Sequence, residues 1–463
     1  MARTASFLDI DRQILGDAFT SNEPQENLVE LCDKIGVRMG GTPGERQAAD
    51  FVRRRLKRYG LSNVRAERFP YNGWRRGDPA RLSLVKPVQH HFPCISLPYC
   101  PATGPKGLTA EMIDLGDGAP EDFERLSREI RGRIVFVSSR IPPQVRRWVH
   151  RGEKYGRSVR AGAVGFLFVN HYDGLLPATG CLRFNRPAEI PGLGLAKETG
   201  LELLRRAGGT RPVVRIVTSD VNKPMVSRNI VAELVGTRWL DELVLIGAHY
   251  DSHDLCPAAD DNASGVTVLL ETARLLAPHR KHLKRTVRFV AFGEEEFGLI
   301  GAYHHVKAHR SEMARVRLML NADGLTTARP KGLIFHGVPE ARDYLEKLAK
   351  DMRTAIPFCN NVTAYSDHFP FVLQGVPAAT LGNMDSPFAG RGYGHTHADT
   401  TDKVALIDQR EAAALLARVA LRVANDDALP LRHRSPGEVK ALLEAESILE
   451  VLDIEGANPF AER

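Results

Sequence analysis

Two continuous apolar runs, Glu242-Leu-Val-Leu-Ile-Gly-Ala248 and Val287-Arg-Phe-Val-Ala-Phe292, constrain this chain more than any other feature of it. Neither alternates apolar with polar residues, so each reads as a strand buried on both faces, within a sheet covered by helices on either side. Around them, residues 226–425 alternate strand-like runs (NIVAELVG and RLMLNAD are two more) with helical patterns at 264–276, 298–309, 340–352 and 408–424. The expected architecture is α/β, a three-layer sandwich with a mixed, largely parallel central sheet.

The flanking segments differ in texture. Residues 1–77 read as helices and then a first strand; Thr42-Pro43-Gly44-Glu45 looks like a capping-box start, with Ala48, Phe51, Val52, Leu56 and Tyr59 at helical spacing and Gly60 as the stop. Residues 78–221 carry short apolar runs (GLTAEMIDLG, GRIVFVSS, AGAVGFLFVN, VVRIVTS) separated by Gly, Pro and Asp, which fits a smaller β-rich domain inserted into the main one. The main domain then occupies 222–430. Residues 431–463 form a helical tail, with Ser435 as N-cap before Pro436 and an apolar stripe at Val439, Leu442, Leu443 and Leu449 that can dock on its own chain or on a second subunit.

Composition excludes several classes. At 463 residues the chain exceeds one ordinary core, so more than one domain is expected. No run approaches the ~18 apolar residues needed to span a bilayer, and the N-terminus lacks the pattern of a secretory signal, so a cytoplasmic, non-membrane protein is expected. The six cysteines are scattered, and reduced thiols are expected, Cys94 and Cys100 being the one pair close enough in sequence to suggest otherwise. A net charge of +7 raises the question of nucleic acid, but the basic runs 53–58 and 145–160 lack aromatic interleaving and read as solvated helix faces.

Chemistry concentrates in five motifs: GAHYDS, ADDNASG, GEEEFGL, NADG and HTHADT, between His249 and His395. Three of them close a predicted strand, where ligands of open α/β sheets collect. Several carboxylates desolvated together repel one another unless a cation neutralises them. Mixed imidazole and carboxylate donors suit zinc first, with cobalt or manganese next. Adjacent residues on extended backbone point opposite ways, so Glu295 and Glu296 can face one site only across a kink. Glu294 reads as a loop charge, His253, Asp254 and Cys256 as loop residues or pocket wall, and His304, His305 and His309 as solvated or packing residues.

Taken together, His249-Tyr-Asp251, Asp261-Asn-Ala-Ser264-Gly, Glu295-Glu296-Phe-Gly-Leu, Asn-Ala-Asp323 and His395-Thr-x-x-Asp399-Thr resemble the di-zinc peptidases of family M28, which include aminopeptidases and glutamate carboxypeptidases. The upstream GVRMGGTPGERQAADFV resembles that family's N-terminal helix region, and the insert sits where many members carry a protease-associated (PA) domain. The resemblance implies two divalent metal ions, bridged by Asp261 rather than Asp260, with His249 and Asp323 completing one site and Glu296 and His395 the other. It implies Glu295 as the general base acting on a water shared by the metals, and Asp251 as the carboxylate that orients the His249 ring. Asp399 is either a similar outer carboxylate or a helix cap. Ser366-Asp367-His368 reads as a pocket-shaping loop. The family's glutamate carboxypeptidase branch has a tyrosine directly before the last histidine; this chain has Gly394 there and Tyr393 one residue earlier.

The implied activity is hydrolysis of peptide bonds by an exopeptidase, an aminopeptidase in the first reading, acting on a peptide or small amide. A carboxypeptidase or dipeptidase is the alternative and needs a cation for the substrate carboxylate, with Arg329, Arg342 and Arg391 available. A glutaminyl cyclase, holding a single zinc, and a non-catalytic scaffold both sit poorly with a complete ligand set.

Overall fold

A computed structural model describes residues 6–209, 211–324, 331–383 and 393–461. Its larger sheet has eight strands: β1 (Ser62–Arg75), β2 (Val221–Leu234), β3 (Trp239–His249), β4 (Arg285–Phe292), β5 (Val316–Ala322), β6 (Lys331–Phe335), β7 (Phe358–Asn360) and β8 (Ala378–Asn383). They lie in the order β1-β2-β4-β3-β5-β8-β6-β7. The centre β4-β3-β5-β8 is parallel, whereas β1-β2, β2-β4 and β6-β8 pair antiparallel. This is the mixed, largely parallel sheet expected.

Both faces of that sheet are buried, for the reason the apolar runs gave. Val244, Ile246, Ala248, Val287, Phe289 and Ala291 belong to a core shared with helices Phe7–Thr20, Pro43–Arg58, Ser264–Leu276 and Leu406–Val423. Their chain neighbours Leu243, Leu245, Val290 and Phe292 belong to the opposite core, with Phe371 and Val376 and with Val439, Leu443, Leu449 and Leu452 of the tail. The tail therefore docks on its own chain. Burying one such aliphatic or aromatic side chain stabilises by about 1.5–3 kcal/mol.

A second sheet takes all its strands from between Arg81 and Val217. Four of them, Leu108–Asp114, Ile134–Ser138, Gly165–Val169 and Gly192–Leu195, run parallel side by side. Helices Arg151–Arg160 and Lys197–Ala207 accompany them. All six cysteines are free, and no helix among the described residues is long and apolar enough to cross a membrane.

Two local readings change. Thr42 caps its helix by accepting the Glu45 amide at 3.3 Å, but Glu45 does not reach back. It is fully buried and takes the Tyr250 hydroxyl at 2.8 Å and the Ser227 hydroxyl at 3.0 Å. The basic run 145–160 is not a solvated face either. Glu153, Lys154, Tyr155 and Ser158 are fully buried, because the helix is sandwiched between its own sheet and the tail helix Ile448–Glu455. Several of its charges are neutralised in place: Arg147 and Arg157 pair with Glu153 at 2.6 and 3.0 Å, Arg157 and Arg160 with Glu450 and Asp453 at 2.9 and 2.7 Å, and the Lys154 ammonium donates to the carbonyls of Ser138 and Arg140.

Candidate active site

Three parallel neighbours deliver the chemistry. β3 ends on His249, β4 stops at Phe292 just before Gly293-Glu294-Glu295-Glu296, and β5 stops at Ala322 just before Asp323. In register, His249 lies beside Phe292, so these strand ends finish together. Glu294 has φ 62°, supplying the kink that two adjacent inward-facing glutamates require.

The donors fall into two groups, His249 with Glu295 and Asp323, and His253 with Glu296 and His395, each with donor atoms within 4.8 Å of one another. Asp261 stands between them. Its Oδ1 lies 3.2 Å from His249 Nε2 and its Oδ2 lies 3.3 Å from His395 Nε2. Asp323 Oδ1 is 3.5 Å and Glu295 Oε2 is 3.9 Å from His249 Nε2, while Glu296 Oε2 is 3.4 Å from His395 Nε2.

Each donor is braced. Asp251 Oδ1 is 3.4 Å from His249 Nδ1, and the same carboxylate accepts the amides of Glu295 and Glu296 at 3.1 and 3.2 Å. One acid thus fixes both strand ends. Asp399 accepts the amides of Asp260 and Asp261 at 2.7 and 3.0 Å, which makes it an outer carboxylate and not a helix cap. The loop from Tyr250 to Ala258 is gathered by the buried guanidinium of Arg38, which donates to the carbonyls of Tyr250, Pro257 and Ala258 at 2.8, 2.5 and 3.0 Å. Ser366 donates to Asp323 Oδ2 at 2.5 Å and accepts from Asn321 at 2.8 Å.

The insert also reaches the site. Its Thr179 amide donates to the His395 carbonyl at 2.8 Å, and the Thr179 carbonyl lies 3.2 Å from His395 Nδ1. That contact reserves Nε2 for the site. Cys181 donates from its thiol to the Glu296 carbonyl at 2.9 Å, and Arg151 holds the carbonyls of Thr179 and Cys181 at 3.0 and 3.1 Å.

Electrostatically the centre is short of positive charge. Burial pushes Glu295 well above the usual carboxylate range, the His249 ring opposing and Asp323, Glu296 and Asp367 adding to it. Burial likewise pushes Glu296 up to about 8. For His249, burial disfavours the charged ring, yet Glu295 and Asp323 outweigh it and raise the ring well above the ordinary imidazole range.

Several residues read as bland from sequence belong to this neighbourhood. His253 is buried, with Nε2 2.9 Å from Glu296 Oε2 and its ring 4.6 Å from that of His395. Glu294 is fully buried, and Gly40 leaves the space its carboxylate occupies, since a Cβ there would fall 1.9 Å from Oε2. Asp367 is fully buried and its carboxylate has no hydrogen-bond partner. The one usable sequence signal for His253 is its place in the loop between His249 and Asp261. Asp254 instead makes a two-pronged pair with Arg76 at 2.6 and 2.8 Å. Tyr393 lies under the Lys403 ammonium, 4.9 Å from its ring centre. Arg342 stacks on Phe358 at 4.6 Å, and Arg329 and Arg391 lie outside the described residues.

A cleft of about 770 Å³ opens over Asp261, Asp323 and His395, walled by the insert (Arg146, Trp148, Tyr172) and by the tail (Ile448, Val451).

The chain resembles known proteins over most of its length. The chain is 27% identical over 438 residues to mouse carboxypeptidase Q, covering 92% of each. It is 26% identical over 436 residues to aminopeptidase YwaD of Bacillus subtilis (strain 168), covering 91% of this chain and 89% of that protein. Its fold matches the peptidase M28 precursor of Shewanella amazonensis SB2B with a TM-score of 0.78 at 23% identity, over 93% and 98% of the two chains. It also matches BSAP, a zinc aminopeptidase of Bacillus subtilis, with a TM-score of 0.66 at 24% identity, over 89% and 97%. Residues 95–203 match the PA domain and residues 229–420 match peptidase family M28. The chain is thus a hydrolase with a peptidase family M28 domain over residues 229–420 and a PA domain over residues 95–203.

Proposed function

We propose that the chain is a two-metal exopeptidase that releases N-terminal residues from peptides. The observation that carries this reading is Asp261, which offers one carboxylate oxygen toward each of two histidines, each accompanied by a further acid. The donor set fits divalent ions on its own terms. Both ring nitrogens of His253 and one oxygen of Asp323 are buried without a hydrogen-bond partner. Glu295, Glu296 and Asp323 have no lysine or arginine ion pair among the described residues. Protons or cations must therefore balance them, and imidazole with carboxylate is a zinc-type set.

His249, Asp261 and Asp323 would hold one ion, and Asp261, Glu296 and His395 the other, with His253 adjacent to the second. Bound there, the ions lower the pKa of water, polarise the scissile carbonyl and offset the charge of the tetrahedral oxyanion. Glu295, whose raised proton affinity suits a base working near neutral pH, takes the attacking water's proton and delivers it to the leaving amine. Asp251 holds the Glu295 amide, and so the position of that base. The cleft floor is acidic, which suits an incoming ammonium, and the relative YwaD is named an aminopeptidase.

A second reading, dipeptidase or carboxypeptidase, is favoured by the opposite wall. Arg140 and Arg146 line the same cleft and have no ion pair among the described residues, so they are placed to meet a substrate carboxylate. The relative named carboxypeptidase Q points the same way. Short peptides with either end blocked decide between them. N-acetylation should abolish turnover while C-terminal amidation leaves it; loss on amidation with indifference to acetylation overturns the aminopeptidase reading.

A further inference from the structure

The histidines that follow the catalytic glutamates form a cluster of their own. His305 lies on the helix Ile300–Ala308 and His309 directly follows it, four residues on and so on the same face. Both rings meet Glu67 of β1. Glu67 Oε2 is 3.0 Å from His305 Nδ1 and Oε1 is 2.9 Å from His309 Nε2, and the donor atoms all lie within 4.8 Å of one another. The outer nitrogen of His309 is 3.3 Å from Glu312, whose other oxygen is held by Arg288 at 2.5 Å. The His305 side chain is fully buried, and its Nε2 has no partner. Glu67, His309 and Glu312 side chains keep 20%, 15% and 26% exposure, which leaves an entry from solvent.

We infer that Glu67, His305 and His309 form a further divalent-cation site, of zinc type, separate from the catalytic centre. Two imidazoles and a carboxylate are a recurrent zinc set, and donors about 2.0–2.2 Å from one ion stand roughly 3–3.5 Å apart, as the nitrogen–oxygen pairs here nearly do. In the metal-free protein each imidazole needs a proton on the nitrogen facing Glu67. One cation takes the place of both of those protons, each ring then keeping its single proton on the other nitrogen, His305 on Nε2 and His309 on Nδ1 toward Glu312. His305 can present either nitrogen by a ring flip, since Nε2 has no hydrogen bond to lose. Water can complete the coordination of the ion through the exposed side, while Glu312 orients the His309 ring from its outer nitrogen. The consequence is mechanical: the helix starts four residues after Glu296, so an ion here ties the far end of the Glu295–Glu296 loop to the edge strand β1.

The test compares zinc content in protein stripped with a chelator, reloaded with zinc and dialysed. Wild type should hold one zinc ion per chain more than His309→Gln and more than Glu67→Gln. Glu67→Gln still offers an amide oxygen to His305, so it serves as the folded control if His309→Gln is unstable. Because the readout is a difference between chains, it stands apart from the total count at the catalytic centre. Loss of the two-metal reading would change the total in all three proteins and leave the difference. Equal zinc content in wild type and Glu67→Gln, with both folded by circular dichroism, overturns the inference and leaves a hydrogen-bonded cluster only.

Discussion

Glu295 and Glu296 are neighbours with the same side chain in different surroundings, and the proposed mechanism gives them different work. Glu296 has two imidazoles against it, His253 at 2.9 Å and His395 at 3.4 Å, whereas the nearest imidazole to Glu295 is His249, at 3.9 Å. In the proposed mechanism the first is a ligand and the second moves a proton. Glu295→Gln keeps the shape and the amide hydrogen bond to Asp251 and removes only the basic oxygen. Turnover should fall by about 10²–10⁴ while zinc content stays at the wild-type value. Measuring kcat beside metal content on the same preparation checks it, and activity within a few-fold of wild type would move the base elsewhere. At this scale the sequence was informative about residues that end strands, because strand periodicity and the carboxyl-end rule place them. It marked Ser366 as part of a pocket-shaping loop, and Ser366 lines the cleft, but it was uninformative about Thr179 and Cys181, whose contacts to the site span 216 and 115 residues and use backbone carbonyls or amides that any residue supplies.

Helix Arg151–Arg160 shows the same limit one level up. Seven of its positions 151–160 are buried, although the segment is rich in charge, because Glu450 and Asp453, which neutralise its arginines, lie 293 residues away. Local pattern cannot show a partner at that separation. The tail helix Ile448–Glu455 carries a further group at this contact, Glu455, which is 1% exposed. Its Oε1 is 2.9 Å from His150 Nδ1 and accepts the Tyr365 hydroxyl at 3.2 Å. His150 Nδ1 already accepts the Gly152 amide at 3.1 Å, so the proton between His150 and Glu455 belongs to the carboxyl. Burial pushes Glu455 up to about 8, with Glu153 adding and the Tyr365 hydroxyl opposing. The folded chain therefore keeps a proton that the unfolded chain releases near 4.5. That contribution to stability is intact below this value and is lost as pH rises toward 8, at up to ~1.4 kcal/mol per pH unit. Glu455→Gln cannot ionise and should flatten the decline. Melting temperatures of both proteins at pH 5, 6.5 and 8 check this; parallel curves would show that Glu455 does not titrate in that window.

For the molecule as a whole, the insert is a structural part of the site and not only a wall of its cleft. Thr179 fixes both the backbone and the ring of His395, Cys181 holds the Glu296 carbonyl, and Arg151 grips the carbonyls between. Gly180 is needed for that grip: at φ 131° it lies against the Arg151 guanidinium, where a Cβ would fall 1.9 Å from a nitrogen. Arg151→Gln leaves the Thr179 and Cys181 carbonyls short of a charged donor, at a cost of about 1–3 kcal/mol each, and loosens the segment that orients His395. Losing an outer partner of a metal-binding histidine commonly lowers affinity 10–100-fold. The variant should therefore need 10–100-fold more free zinc for half-maximal activity and recover most of its kcat at saturating zinc, while Glu295→Gln recovers none at any zinc concentration. Titrating both stripped proteins with buffered zinc separates positioning from proton transfer. An Arg151→Gln protein with wild-type zinc dependence would mean that the insert only shapes access, and that His395 is placed by the catalytic domain alone.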